Sequence, residues 1–177
     1  VTSGVARVEW ELGADARFAE GETHERFRYM SGQFTRDRIA GGETAVAGLY
    51  AEGSWTHGPW LVAGGLRADR WENTDGHRFE RDLQSLVPTL NETDPDRSGE
   101  VVSARLGVRR DIGGGQALRL AGYTGFRPAT LNELHRPFRV GNDLTEANAA
   151  LQPETATGAE AGWSWTGDRA SLTATAF

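Results

Sequence analysis

Apolar and polar residues alternate one for one along much of this chain, the period of a strand with two unlike faces. Val8, Trp10 and Leu12 share one side of the first run, with Arg7, Glu9 and Glu11 opposite. Weaker alternation through Ala14, Ala16 and Phe18 gives way to Glu20, Glu22, Glu25 and Arg26, as if a strand climbed from an apolar layer into a wet rim. Residues 30–42 then read as a polar connection. Strands follow at 45–57, with Ala47, Leu49, Ala51 and Trp55 on one face, and at 60–70, with Trp60, Val62, Leu66 and Ala68 against Arg67 and Asp69. After a second polar stretch, roughly 72–98, runs at 101–112, 117–126 and 155–165 alternate again, and 171–177 begins one more. That makes seven or eight strand candidates.

The connections come in two kinds. His57-Gly58-Pro59, Gly113-Gly114-Gly115 and Thr166-Gly167-Asp168 are tight turn signals. The stretches at 30–42, 73–98 and 127–154 are long. In an up-and-down sheet successive connections fall on opposite edges, so the short turns share one rim and the long loops the other. This asymmetry is that of an outer-membrane barrel. Arg67, Asp69, Arg105, Arg109, Asp111, Arg119 and Glu160 occupy the polar face, while the apolar face is mostly Ala, Gly, Val and Leu with Trp near the turns. Few bulky side chains are present to interdigitate, which suits contact with lipid better than a close-packed core. A soluble sheet with one wet face remains the competing reading of the alternation.

Composition agrees with strands and turns. The 177 residues include 23 Gly and 6 Trp against one Met, and no Cys, so there is no disulfide framework, thiolate metal site or Cys nucleophile. Mean hydropathy is −0.52, too low for a membrane-spanning helix, but membrane strands are short and half polar and escape that average. A net charge of −6 argues against nucleic acid as a partner. Val1 opens on structured sequence without a charged and apolar leader, so the chain reads as a mature fragment.

Between the last long strands lies a stretch that loses the alternation. It reads Phe126-Arg127-Pro128-Ala129-Thr130-Leu131-Asn132-Glu133-Leu134, then Arg136-Pro137-Phe138-Arg139-Val140-Gly141-Asn142, then Asn148 to Leu151 and Pro153-Glu154, before a strand carrying Glu160. These phrases resemble the barrel of TonB-dependent outer-membrane receptors, with Pro128-Ala129 inverted and Ala149 in place of a usual Pro. Both departures move the points where the backbone is stiffened. The resemblance implies an all-β, antiparallel up-and-down transmembrane β-barrel. Residues 1–177 would form part of it, about a third of some 22 strands, with the plug domain and remaining strands outside this sequence. It further implies uptake of a scarce nutrient, most often a ferric siderophore. The implied partners are the TonB complex acting through the plug, a metal chelate or other small ligand, and outer-membrane lipid, with the long loops extracellular. A passive porin-like or adhesive barrel, or a soluble carbohydrate-binding β-domain, are the alternatives.

No catalytic constellation, cofactor motif or metal site is read from the residues. Asp94-Pro-Asp96 begins like a calcium loop, but its twelfth position is Arg105 rather than Glu. His24, His57, His77 and His135 are scattered and read as surface residues. Arg136, Arg139 and Asn142 are candidate ligand contacts, because guanidinium recognises carboxylate in a two-pronged geometry. Pairing of the loop arginines with its acids is the competing reading. Arg127, Asn132, Glu133, Pro153, Glu154 and Glu160 read as residues that hold the loop and its re-entry to the sheet.

Overall fold

The computed structural model describes residues 5–141 and 143–177. Seven strands lie side by side in an antiparallel half-barrel: β1 (Arg7–Met30), β2 (Gln33–His57), β3 (Trp60–Asp82), β5 (Arg97–Gly113), β6 (Gln116–Arg127), β9 (Glu154–Thr166) and β10 (Ser171–Ala176). An eighth, β4 (Pro88–Thr93), pairs with the far end of β3. The stretch between β6 and β9 holds a short helix, α1 (Leu131–His135), and a small hairpin of β7 (Phe138–Val140) and β8 (Asp143–Thr145).

Pairing registers carry the two faces across the whole sheet. Leu12 pairs with Ala51, Ala51 with Leu66, Leu66 with Ala104, and further along Leu120 with Ala161. On this side Trp10, Leu12, Leu49, Leu66, Val102, Leu106 and Leu120 are exposed, a band of aliphatic groups with nothing packed on it. Trp60, Trp163 and Trp165 stand beside the short turns. There Arg110 lies over the Trp60 ring at 4.9 Å, its head drawn toward the wet rim.

The opposite face is charged and self-satisfied. Arg67 donates to Asp15 at 2.5 Å and to Asp69 at 2.6 Å. Arg105 pairs with Glu52, Arg109 with Asp111, Arg119 with Glu160, and Tyr50 donates to Glu11. Gly48 admits the Arg67–Asp69 pair: a Cβ there would collide with both side chains.

Two expected loops are strand. Residues 30–42 are not a polar connection. β1 and β2 run unbroken for 24 and 25 residues to a two-residue turn at Ser31-Gly32. Most of 72–98 is likewise the distal part of β3 plus β4. About ten residues suffice for a membrane strand, so β1–β3 rise as a wall well past an apolar layer of that height. Above the apolar layer neither side of the wall meets hydrocarbon: the outer side faces water and the inner side faces the polar groups of the docked loop, so its sequence has no reason to alternate.

A bulge reverses the faces of β3 partway up this wall. Gly41 pairs with His77 but Glu43 pairs with Thr74, so β3 carries one extra residue at Asp75-Gly76, where Asp75 has φ 53°. Trp71 and Asn73 point to the polar side below it. Above it the even-numbered Arg78 and Glu80 take that side.

Candidate functional site

The long connection after β6 folds back and docks on the distal wall rather than projecting into solvent. Arg127, at the end of β6, donates to Glu133 in α1 at 2.9 Å and to Glu154 at the start of β9 at 3.1 Å. One guanidinium thus ties both roots of the loop to its helix. α1 has only five residues and relies on its cap. Thr130 accepts the Glu133 N–H, while the Glu133 carboxylate accepts the Thr130 N–H at 2.8 Å. Arg127 and these capping bonds hold the Glu133 carboxyl down to about 2, and the two carboxylates in turn raise the Arg127 guanidinium. The helix closes with Arg136 N–H on the Asn132 carbonyl, and Pro137 prevents a further turn. Asn148 N–H donates to the Glu133 carbonyl, and its side chain accepts Ala150 N–H, forming a turn around Ala149. Pro153 is half-buried just before β9.

Docking is made by buried groups. Leu134 is 1% exposed and His135 4%. The His135 ring lies against Gly42 and Gly76, where a Cβ would strike it, and Nδ1 contacts Asp94 at 2.7 Å. Its Nε2 is buried with no partner. Next to it Arg38, 6% exposed, donates to Glu80 at 2.8 Å and to the Pro137 carbonyl at 3.1 Å, lies 3.6 Å from Glu25, and covers the Phe27 ring. Arg136 pairs with Glu25, and Arg78 reaches from Glu80 to Glu146 on the loop. A buried charge is tolerated only when paired and hydrogen-bonded, and this network meets that condition by recruiting partners from β1, β2, β3 and the loop together.

Of the residues expected to meet a ligand, Arg136 is engaged with Glu25 and Arg139 is exposed on β7. Asn142 lies outside the described residues. Glu160 sits far from the loop in the lower half of β9, against Arg119. Two readings are corrected: His135, expected at the surface, is 4% exposed beneath the loop, and Glu25, expected on a solvated rim, is enclosed by Arg38 and Arg136, while Arg38 and Glu80 were not singled out from sequence.

A second cluster stands on the outer side of the wall, above the apolar band. The Glu22 carboxylate bridges His24 Nε2 at 2.6 Å and His77 Nε2 at 3.0 Å. The histidines depress Glu22, and the Asp75 carbonyl together with Glu22 raises His77. Among the described residues no group of three or more side chains is placed to hold a metal ion.

Comparison with curated proteins returns no match. The family described as TonB dependent receptor-like, beta-barrel, matches residues 2–177. Members of that family are outer-membrane receptors and transporters, not enzymes, which accords with a sheet whose one face is aliphatic and whose other face is ion-paired. With a match across nearly its whole length, the chain belongs to the TonB-dependent receptor β-barrel family.

Proposed function

We propose that this chain is the wall and distal mouth of a transporter that takes up a scarce nutrient, with a ferric siderophore as cargo. The observation that carries the reading is the inward-docked loop. The connection from 128 to 153 closes over the polar face of a wall that rises past the apolar band, giving a sheltered mouth in place of an open channel. In this reading the loops face the cell exterior, Arg139 on β7 is a ligand contact, and Asn142 is a second one by its place in the sequence. Arg136 supports the mouth through Glu25. The energy for import comes from the TonB complex acting on a plug domain encoded upstream of Val1, not from chemistry in these residues.

Growth of a deletion strain under iron limitation, fed one ferric siderophore at a time, tests this directly. Loss of growth on one chelate, restored by the gene, is the expected result. Equal growth on every chelate, or a reading frame without a plug upstream, would favour a porin-like barrel instead.

A further inference from the structure

The bulge at Asp75-Gly76 has a titratable cluster on its outer side and the docked loop on its inner side. A run of short contacts joins the two. Outside, the Glu22 carboxylate of β1 lies 3.0 Å from His77 Nε2, and the His77 Nδ1–H donates to the Asp75 carbonyl at 2.9 Å. Gly76 follows directly, and its carbonyl accepts the Asp94 N–H at 2.7 Å. Inside, the Asp94 carboxylate meets His135 Nδ1 at 2.7 Å, and the same ring leaves no room for a Cβ on Gly76. Asp75 sits at φ 53°, a left-handed conformation that a non-glycine residue keeps only where its surroundings hold it. His77 is one of the groups that hold it.

The ring has two acceptors to satisfy and, when neutral, a single N–H. As an imidazolium it donates to the Asp75 carbonyl and to Glu22 together. Once neutral it gives up one of them: either the carbonyl loses its donor, or the Nε2 lone pair faces a carboxylate. Nothing else around the ring offsets that loss. Glu22 is shared with His24 at 2.6 Å, and Gly41 and Thr93, opposite His77 on β2 and β4, carry no charge. Glu43, two residues from Gly41, and the Asp75 carboxylate add only negative charge, while Arg78 and Glu80 pair with each other on the inner side. The Asp75 carbonyl and Glu22 accordingly hold His77 above the ordinary imidazole value.

We propose that protonation of His77 on the outer face fixes the Asp75-Gly76 bulge and so tightens the docking of the loop at 128–153 on the inner face. The mouth is then closed most firmly at lower pH, and the loop loosens as pH rises through the His77 titration. Coupling between two sites is reciprocal. A docked loop raises the proton affinity of His77, and an undocked loop lowers it by the same factor. The device acts through the wall itself and holds for any cargo the mouth admits. It works well above the range in which Glu133 titrates, so the two effects do not overlap.

The test is a distance measurement between spin labels in the intact receptor in detergent, with a chelator present. Labels at Leu86→Cys, in the turn before β4, and Leu144→Cys, on β8, report the loop against the wall; both positions are exposed. From about pH 6 to about pH 9, a range that brackets a raised imidazole, the ratio of docked to undocked loop should fall at least about 5-fold, the low end of coupling between sites. His77→Gln removes that response, and His57→Gln, beside a short turn, keeps it. The reciprocal measurement is the pH midpoint of His77 modification by diethyl pyrocarbonate, which attacks neutral imidazole, read by mass spectrometry. His135→Ala, which frees the loop, should lower that midpoint, a change that a merely structural His77 would not show. A docked fraction independent of pH, or a His77 midpoint unmoved by His135→Ala, overturns the proposal. So does a response that persists in His77→Gln, because it would belong to His135.

Discussion

The lower and upper halves of the same strands obey different rules. Near the short turns every strand separates an aliphatic face from a charged one, and side chains are satisfied by neighbours two residues away, as in Arg67–Asp69, or across an intervening strand, as in Arg105–Glu52, whose pair spans β3. In the distal wall charged and polar groups are buried beside Leu134 and Ala40. Arg38, His135 and Glu80 hold elements distant in sequence: Arg38 to the Pro137 carbonyl, 99 positions away, and His135 to Asp94, 41 away. The difference follows from the surroundings. A band that meets hydrocarbon must keep one face apolar and cannot expose backbone groups, so its order is local and repetitive. A wall above the hydrocarbon has no such rule, and it becomes unique where a loop is laid upon it.

The comparison is broken most severely by removing Arg38. Arg38→Ala removes the buried cation that Glu80 and Glu25 share; a broken buried pair costs about 3–5 kcal/mol, and because Arg78 still holds Glu80 and Arg136 still holds Glu25 the loss should fall at or below the lower end of that range. Chemical unfolding of the receptor in lipid vesicles should show that loss, together with faster proteolysis within 128–153. Retention of both stability and protease resistance would mean that the network does not hold the loop.

Two leucines of equal exposure separate the halves next. Leu66 and Leu86 are each 64% exposed, but Leu66 lies six residues up from Trp60 in the aliphatic band and Leu86 lies in the turn before β4. Leu66→Arg should cost about 2–4 kcal/mol in lipid, as for a cation near the bilayer midplane. Leu86→Arg should stay within about 0.5 kcal/mol. Similar costs for the two would refute a lipid-facing band.

Crowding the loop contact has a smaller effect. Gly76→Ala forces the His135 ring to shift, and overpacking of this kind costs about 1–3 kcal/mol. A simultaneous His135→Ala should relieve part of that cost in a double-mutant cycle. Additive effects would show that the ring does not rest on Gly76.

The smallest effect is one of pH. Glu133 titrates near 2 in the folded protein against 4.5 unperturbed. A depressed carboxylate stabilises above its unfolded value, and that contribution is lost as pH falls from about 4.5 toward 2. His77 works in the opposite sense. Its folded value lies above 6.5, so its contribution is present below 6.5 and fades as pH rises through that folded value. Proteolysis of the loop should therefore rise in acid for the native protein and change less with pH for Glu133→Gln. Parallel profiles would remove Glu133 from the latch.

Legibility divides along the same line. The strands at 45–57, 60–70 and 101–112 and the turns at His57, Gly113 and Gly167 were readable because a two-sided environment writes itself as period two and a tight turn needs Gly. Residues 30–42 were misread as a connection for the converse reason: Arg36, Asp37 and Arg38 in a strand with no hydrocarbon on either side look like a loop. The bulge at Asp75-Gly76 defeated any reading of faces beyond it, since one added residue inverts all that follow. In the loop, the spacing of Thr130 and Glu133 is local and visible. The contact of His135 with Gly42, Gly76 and Asp94 joins three separate segments, and no spacing announces it.

Alternation, turn residues and the phrases around Arg127 to Glu154 were enough to specify an antiparallel barrel segment and its family, because these depend on contacts between near neighbours and on the two solvents a strand divides. The height of the wall, the inversion of β3 and the docking of α1 came only with the folded chain. Each depends on which distant residues come together to satisfy a buried charge, and that is a property of the assembled sheet.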